Sequence, residues 1–140
     1  MSALLFDTSA ILAHYLEEEG WEQVENFFLK PQQAILICAV SLVELNSRLL
    51  ELGENPSDRR KILNEYRGFC ADVVAVDESI ARLAIQLRES TPSRLPLTDS
   101  LIAACAKQRD ATLIHRDPHF RVISSSDLKQ IELPPKTKVS

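Results

Sequence analysis

A chain of 140 residues with 45% hydrophobic and 26% charged content has room for one domain with its own buried core, and wholesale disorder is excluded. Its net charge of −4 argues against a globally basic nucleic-acid binder. Yet twenty acids less four facing bound cations would equal the sixteen Lys and Arg, so basic surface need only be local, as at Arg59, Arg60, Lys61 and Arg67.

The N-terminal residues Ala3-Leu4-Leu5-Phe6 form a short apolar run ending at Asp7. With an acid inside the run and no basic flank, this is not a signal peptide. A helix is predicted from Ser9 to about Glu18, ending near Gly20, and a second from Trp21 to about Leu29. Residues 34–38 are a second buried-strand candidate. Ser41 is expected to open a helix carrying Leu42, Leu45, Leu49 and Leu52 on one side. Asn55-Pro56 reads as an N-cap followed by proline at the first helical position. Val73 to Val76 is a third strand. Asp77 caps a helix with Ile80, Leu83, Ala84 and Leu87 at helical spacing. The segment from Thr91 to Pro96 is a loop. A helix with Leu97, Leu101, Ala104 and Cys105 on one face follows it. Ala111 to Ile114 is a fourth strand, and Val122-Ile123 a candidate fifth.

Continuous apolar strands separated by helices predict a mainly parallel sheet of four to five strands inside a three-layer α/β/α sandwich. Residues 1–133 are read as a single domain and 134–140 as a flexible C-terminal tail. No stretch approaches the ~20 apolar residues of a membrane span. The three cysteines, Cys38, Cys70 and Cys105, lack C-x-x-C spacing and read as reduced thiols of a cytoplasmic protein.

In such sheets ligands bind beyond the carboxyl ends of the strands. Asp7 closes the first strand and Asp117 lies just past the fourth. Glu44 and Asp99 sit in the first turns of helices. All four are therefore expected at one edge. Carboxylates gathered there repel by roughly 4 kcal/mol per pair at about 4 Å and an effective dielectric near 20. Protonation or a divalent cation relieves this, and hard oxygen donors suit Mg²⁺ or Mn²⁺. Such ions hydrolyse phosphodiesters without a protein nucleophile, and none is evident.

Each acid also has a structural reading. Ser41-Leu42-Val43-Glu44 fits a helix capping box. Thr98-Asp99 could be an N-cap with a dipole-compensating acid. Asp117-Pro118 could start a turn. Asp7 is harder to explain this way, because an acid ending a buried strand is costly unless partnered. Glu17-Glu18-Glu19 reads as a solvated helix end. Tyr15, Leu16, Trp21 and Phe28 suit either a partner groove or core packing. A zinc pair at His115 and His119 is disfavoured, since Asp117-Pro118 between them breaks a helix.

Four segments together resemble the PIN-domain proteins, specifically the VapC toxins of prokaryotic type II toxin–antitoxin pairs. They are Leu5-Phe6-Asp7-Thr8-Ser9, Ser41 to Leu45, Leu95 to Ala104, and Ala111 to Phe120. The resemblance runs from Leu4 to about Phe120. It implies Mg²⁺- or Mn²⁺-dependent endonucleolytic cleavage of RNA. Asp7, Glu44 and Asp99 match the family's core acids, Asp117 matches its fourth, and Thr8 and Ser9 match nearby hydroxyl positions. It also implies a homodimer and a small antitoxin protein that blocks the site. One departure is His115, where the family often has Thr or Ser. That imidazole could replace a hydroxyl's hydrogen bond, ligate a metal, or simply pack at the strand end.

The leading expectation is therefore a toxin-type endoribonuclease. Asp7 and Asp99 would be its principal metal ligands, Glu44 would ligate or orient water, and Asp117 would complete the second metal position or support the ligands from behind. Thr8, Ser9, Thr98 and His115 are supporting residues, and Arg116 is the candidate phosphate contact. The alternative is a catalytically inactive PIN-like protein that binds metal or RNA in a regulatory role. A receiver-like phosphoacceptor ranks below both, because Asp7 has no acidic neighbour and His115-Arg116 replaces the late lysine.

Overall fold

Period-two alternation along short apolar strands builds two cores, one on each face of a sheet. The computed structural model describes residues 3–30 and 32–136. Its strands are β1 (Leu4–Phe6), β2 (Ile35–Cys38), β3 (Asp72–Val74), β4 (Thr112–His115) and β5 (Gln130–Glu132). They lie in the order β3-β2-β1-β4-β5, and every neighbouring pair is parallel. The helices are α1 (Thr8–Tyr15), α2 (Trp21–Leu29), α3 (Ala39–Glu51), α4 (Pro56–Phe69), α5 (Glu78–Ser90) and α6 (Leu97–Gln108). Leu4, Phe6, Ile35, Ile37 and Ile114 pack on one face against residues from α1 to α4. Leu5, Leu36, Cys38 and Leu113 pack on the other against α5 and α6. The result is the three-layer α/β/α sandwich expected from the apolar pattern.

Strand order also fixes where a ligand can sit. From β1 the chain builds outward through β2 and β3, then crosses back to add β4 and β5 on the opposite side. The carboxyl ends of β1 and β4 thus flank the point where the order reverses, and a crevice opens there.

Several elements differ from the sequence reading. The expected strand at Val122-Ile123 is instead the end of a short 3-10 helix, Pro118–Val122. Phe120 and Ile123 project from this turn into the core. The true fifth strand, β5, is largely exposed and has no apolar alternation to announce it. It is held by pairing with β4 and by the Arg121–Glu132 ion pair.

Helix α1 stops at Tyr15 rather than Glu18, because Glu17 takes a left-handed conformation at φ 51°. The Glu17 N–H donates to the His14 carbonyl and the Glu18 N–H to the Ala13 carbonyl, closing the helix end. Helix α3 begins at Ala39, two residues before Ser41. Leu97 lies on the solvent side of α6, whose buried residues include Ile102 to Ala106. At the entry to α2, Gly20 has φ 92°, and a Cβ there would stand 3.0 Å from the Pro134 ring. The start of the expected tail is thus seated against α2, while residues 137–140 lie outside the described residues. None of the described helices is long and apolar enough to cross a membrane.

Candidate active site

Asp7 leaves β1 in an extended conformation and becomes the N-cap of α1. Its Oδ2 accepts from the Ser9 N–H at 3.1 Å and from the Ser9 hydroxyl at 2.5 Å. The same hydroxyl oxygen accepts the Arg116 N–H at 2.9 Å. Ser9 therefore ties the end of β1 to the chain leaving β4. Only 4% of Asp7 is exposed. Burial drives its pKa up from 3.8 to about 6, against the lowering effect of the Ser9 bonds; the nearby Glu44 and Asp117 charges add to the rise.

Glu44 projects from α3, and its Oε1 accepts from the Thr8 hydroxyl at 2.9 Å. The capping-box reading fails. Ser41 is the third residue of α3, not its cap, and its buried hydroxyl has no partner among the described residues. Asp99 is the third residue of α6, whose N-cap is Pro96 with no side-chain cap bond. Asp99 and Thr98 therefore do not cap this helix. Asp99 is 8% exposed. Burial, with the neighbouring Asp117 and Asp7 charges, lifts its pKa to about 7.

Asp117 does start a turn, as its bland reading held. Its Oδ1 accepts from the His119 N–H at 2.9 Å and caps the 3-10 helix. That role leaves it beside the other acids. Asp7, Glu44, Asp99 and Asp117 all line one cleft of about 520 Å³, together with Thr8, Ser9, Thr98 and Arg116. A water occupies about 30 Å³ of liquid, so the cleft has room for a hydrated ion and a segment of ligand backbone.

The buried ring of His115 resolves the alternatives open in the sequence. The Gln130 amide nitrogen donates to the Phe120 and Ile123 carbonyls, which turns the amide oxygen toward His115 Nε2 at 2.7 Å. Nε2 must then carry the proton, leaving Nδ1 to accept the Asp117 N–H at 3.1 Å. Burial lowers the His115 pKa and keeps the ring neutral. Both nitrogens are thus engaged within the protein, one by Gln130 and one by the Asp117 backbone.

Arg116 is not displayed as a free phosphate contact. Its Nη2 donates to Glu18 Oε1 at 2.6 Å, and Nη1 is buried without a partner among the described residues. Glu18 also accepts from Lys136 Nζ at 2.9 Å. These two cations lower the Glu18 pKa against the opposing effect of burial, so Glu18 is not the solvated helix end the acidic run suggested. Phe28 is buried in an aromatic cluster with Phe6, Tyr66 and Phe69, which favours core packing for that residue.

Sequence reasoning underrated His119. Its Nδ1 lies 2.9 Å from Asp117 Oδ1 and 3.5 Å from Asp99 Oδ2. The signal was Asp117-Pro118-His119 itself, a capped turn that returns the third side chain toward the first. Lys136 was missed because it follows two prolines in a polar segment.

The donor chemistry fits a divalent cation. Asp7 and Asp99 have no Lys or Arg partner among the described residues, while Arg116 and Lys136 are committed to Glu18 at the rim. Two carboxyls pushed toward neutrality and lacking a Lys or Arg partner among the described residues are what a hard cation would restore to the ionised state.

The family model of the PIN domain matches residues 4–125. No curated protein matches the chain. Among solved structures, VapBC2 of Rickettsia felis bound to a promoter DNA fragment is similar at 17% identity and a TM-score of 0.75, covering 94% of this chain and 99% of that one. DNA-bound VapBC of Salmonella typhimurium is similar at 20% identity and a TM-score of 0.70, covering 94% and 98%. VapBC-5 of Mycobacterium tuberculosis, from the VapBC family of toxin–antitoxin systems, reaches 25% identity and a TM-score of 0.63, covering 94% and 99%.

Proposed function

The chain belongs to the PIN-domain family, and on that premise we propose that it is a divalent-metal-dependent endoribonuclease, the toxin of a toxin–antitoxin pair. One observation carries the reading. Acids from four separate elements meet at the switch point of a parallel sheet, and two of them are pushed up to about 6 and about 7.

Asp7 and Asp99 are the principal ligands in this reading, and Asp117 completes the acidic face. Glu44, steadied by the Thr8 hydroxyl, orients water or adds a ligand. A bound Mg²⁺ or Mn²⁺ supplies charge neutralisation and Lewis acidity for in-line phosphodiester hydrolysis. Ser9 occupies Asp7 Oδ2 with two hydrogen bonds, so that Asp7 would hold the ion through Oδ1. His115, which departs from the family pattern, is compatible with the active arrangement, since it accepts the Asp117 N–H as a hydroxyl there could. Arg116 would reach a phosphate oxygen only once its hold on Glu18 loosened, since Nη2 is bound to Glu18 and Nη1 is buried. The partners proposed are RNA as substrate, a small antitoxin protein, and a second copy of the chain in a cytoplasmic homodimer.

Purified protein incubated with RNA and Mg²⁺ or Mn²⁺ tests this. Cleavage should vanish with chelator and fall at least about a hundredfold in Asp7→Asn, with the fold retained. Undiminished cleavage by Asp7→Asn would refute the assignment. Induced expression of wild type beside Asp7→Asn, scored for growth arrest and RNA integrity, tests the toxin role.

A further inference from the structure

We propose that His119 is a nitrogen ligand of the cation held at Asp99 and Asp117, so that the site favours a transition-metal ion such as Mn²⁺ or Co²⁺ over Mg²⁺. The inference rests on the metal-dependent reading above and deepens it.

One donor atom from each of Asp99, Asp117 and His119 can be chosen so that all lie within 4.8 Å of one another. His119 Nδ1 is 2.9 Å from Asp117 Oδ1 and 3.5 Å from Asp99 Oδ2. Donors at about 2.1 Å from one ion and at right angles stand about 3 Å apart, so these separations suit adjacent coordination positions. The backbone sets this placement. Asp117 caps the turn through the His119 N–H, and Pro118 between them fixes its own φ. The ring is about 59% exposed, so it is offered to the site without being needed by the core.

Nitrogen changes which ions the site prefers. Mg²⁺ takes oxygen ligands almost exclusively, whereas imidazole is a good ligand for later divalent ions, with affinity rising from Mn²⁺ to Co²⁺. The chain has three histidines. His14 is engaged by Tyr66 and Glu25, and both nitrogens of His115 are engaged by Gln130 and Asp117. A nitrogen bound to an ion in this cleft therefore identifies His119.

The test uses the full chain loaded with Mn²⁺, Co²⁺ or Mg²⁺. Pulsed electron paramagnetic resonance of the Mn²⁺ form should detect ¹⁴N coupling in wild type and none in His119→Ala or His119→Asn. Titration calorimetry should give a drop of about tenfold or more in Mn²⁺ and Co²⁺ affinity in both variants, with Mg²⁺ affinity changed less than about threefold. Absence of ¹⁴N coupling in wild type, or equal losses for all three ions, overturns the proposal. Increased affinity for every ion in His119→Ala also overturns it, since the ring would then be a competing cation. If Mn²⁺ binds and RNA is cut without nitrogen coupling, the ligand inference alone fails. If no divalent ion binds at millimolar concentration and no RNA is cut, the nuclease reading fails with it.

Discussion

Replacing Asp99 by Asn is expected to stabilise the metal-free fold while weakening its response to divalent ions. Burial and the charges of Asp117 and Asp7 raise the folded-state pKa of Asp99 from 3.8 to about 7. Between those values the folded state keeps a proton that the unfolded chain has released. Metal-free stability therefore falls as pH rises from about 4 to about 7, and the full cost stands above pH 7. At ~1.4 kcal/mol for each tenfold change in proton affinity, the rise corresponds to about 4 kcal/mol. Part of it comes from neighbouring acids that can rearrange, so a net gain of about 2 to 4 kcal/mol in Asp99→Asn is expected at pH 8. For a chain of this size that is roughly 6 to 14 °C in Tm. Thermal unfolding in chelator should show wild type and variant diverging from pH 5 to about pH 7 and levelling off by pH 8. Saturating Mn²⁺ should then raise the wild type much more than the variant. A variant less stable than wild type in chelator at pH 8, or a gap independent of pH, would refute the claim that these acids oppose folding.

Three further substitutions probe the groups that hold the acids. Ser9→Ala removes a donor to Asp7 and the acceptor of the Arg116 N–H. It should cost about 1 to 3 kcal/mol and move the Asp7 titration upward, read by thermal unfolding and carboxyl-carbon NMR; an unmoved titration counts against the link. His115→Phe keeps a planar aromatic ring, somewhat larger than the imidazole, but strands the Asp117 N–H and the Gln130 amide oxygen. A loss of about 1 to 3 kcal/mol and weaker metal binding are expected, whereas a Tm within a degree of wild type would argue against the network. Glu18→Gln weakens the hold on Arg116 and Lys136 at the cleft rim. In an Asp7→Asn background it should tighten RNA binding and steepen its salt dependence, measured by fluorescence anisotropy.

How much of this was legible in the sequence depended on whether the signal was local. Asn55 and Asp77 cap α4 and α5 as their residue types required, and β1 to β4 follow their apolar runs. The four acids line one cleft because each sits next to a strand end or a helix start, and sheet topology carries such positions to one edge. The exposed edge strand β5 was not legible, since its place depends on backbone pairing with β4 rather than on any apolar period. Ser41 misled, because S-x-x-E is satisfied in sequence while Glu44 turns to Thr8, which is 36 residues away in the chain. The partnership of Glu18 with Arg116 spans 98 residues and depends on the left-handed Glu17, which no composition signal marks.

Two residues adjoining the acids tie β1 to the chain leaving β4, and β4 to β5, where the chemistry is proposed. The Ser9 oxygen donates to Asp7 and accepts from the backbone of Arg116, so one atom spans the crevice. On the far side of the same turn, His115 Nδ1 accepts the Asp117 N–H, as a hydroxyl at that position could. The imidazole adds a reach that a hydroxyl lacks, since its Nε2 extends to Gln130 on β5. Gln130 in turn satisfies the carbonyls of Phe120 and Ile123, at the middle and the end of the turn that presents Asp117 and His119. An edge strand with little apolar burial is thereby coupled to the geometry of the acid cluster. Loosening β5 should consequently disturb Asp117 and His119 before it disturbs Asp7 and Glu44, which are anchored from β1, α1 and α3.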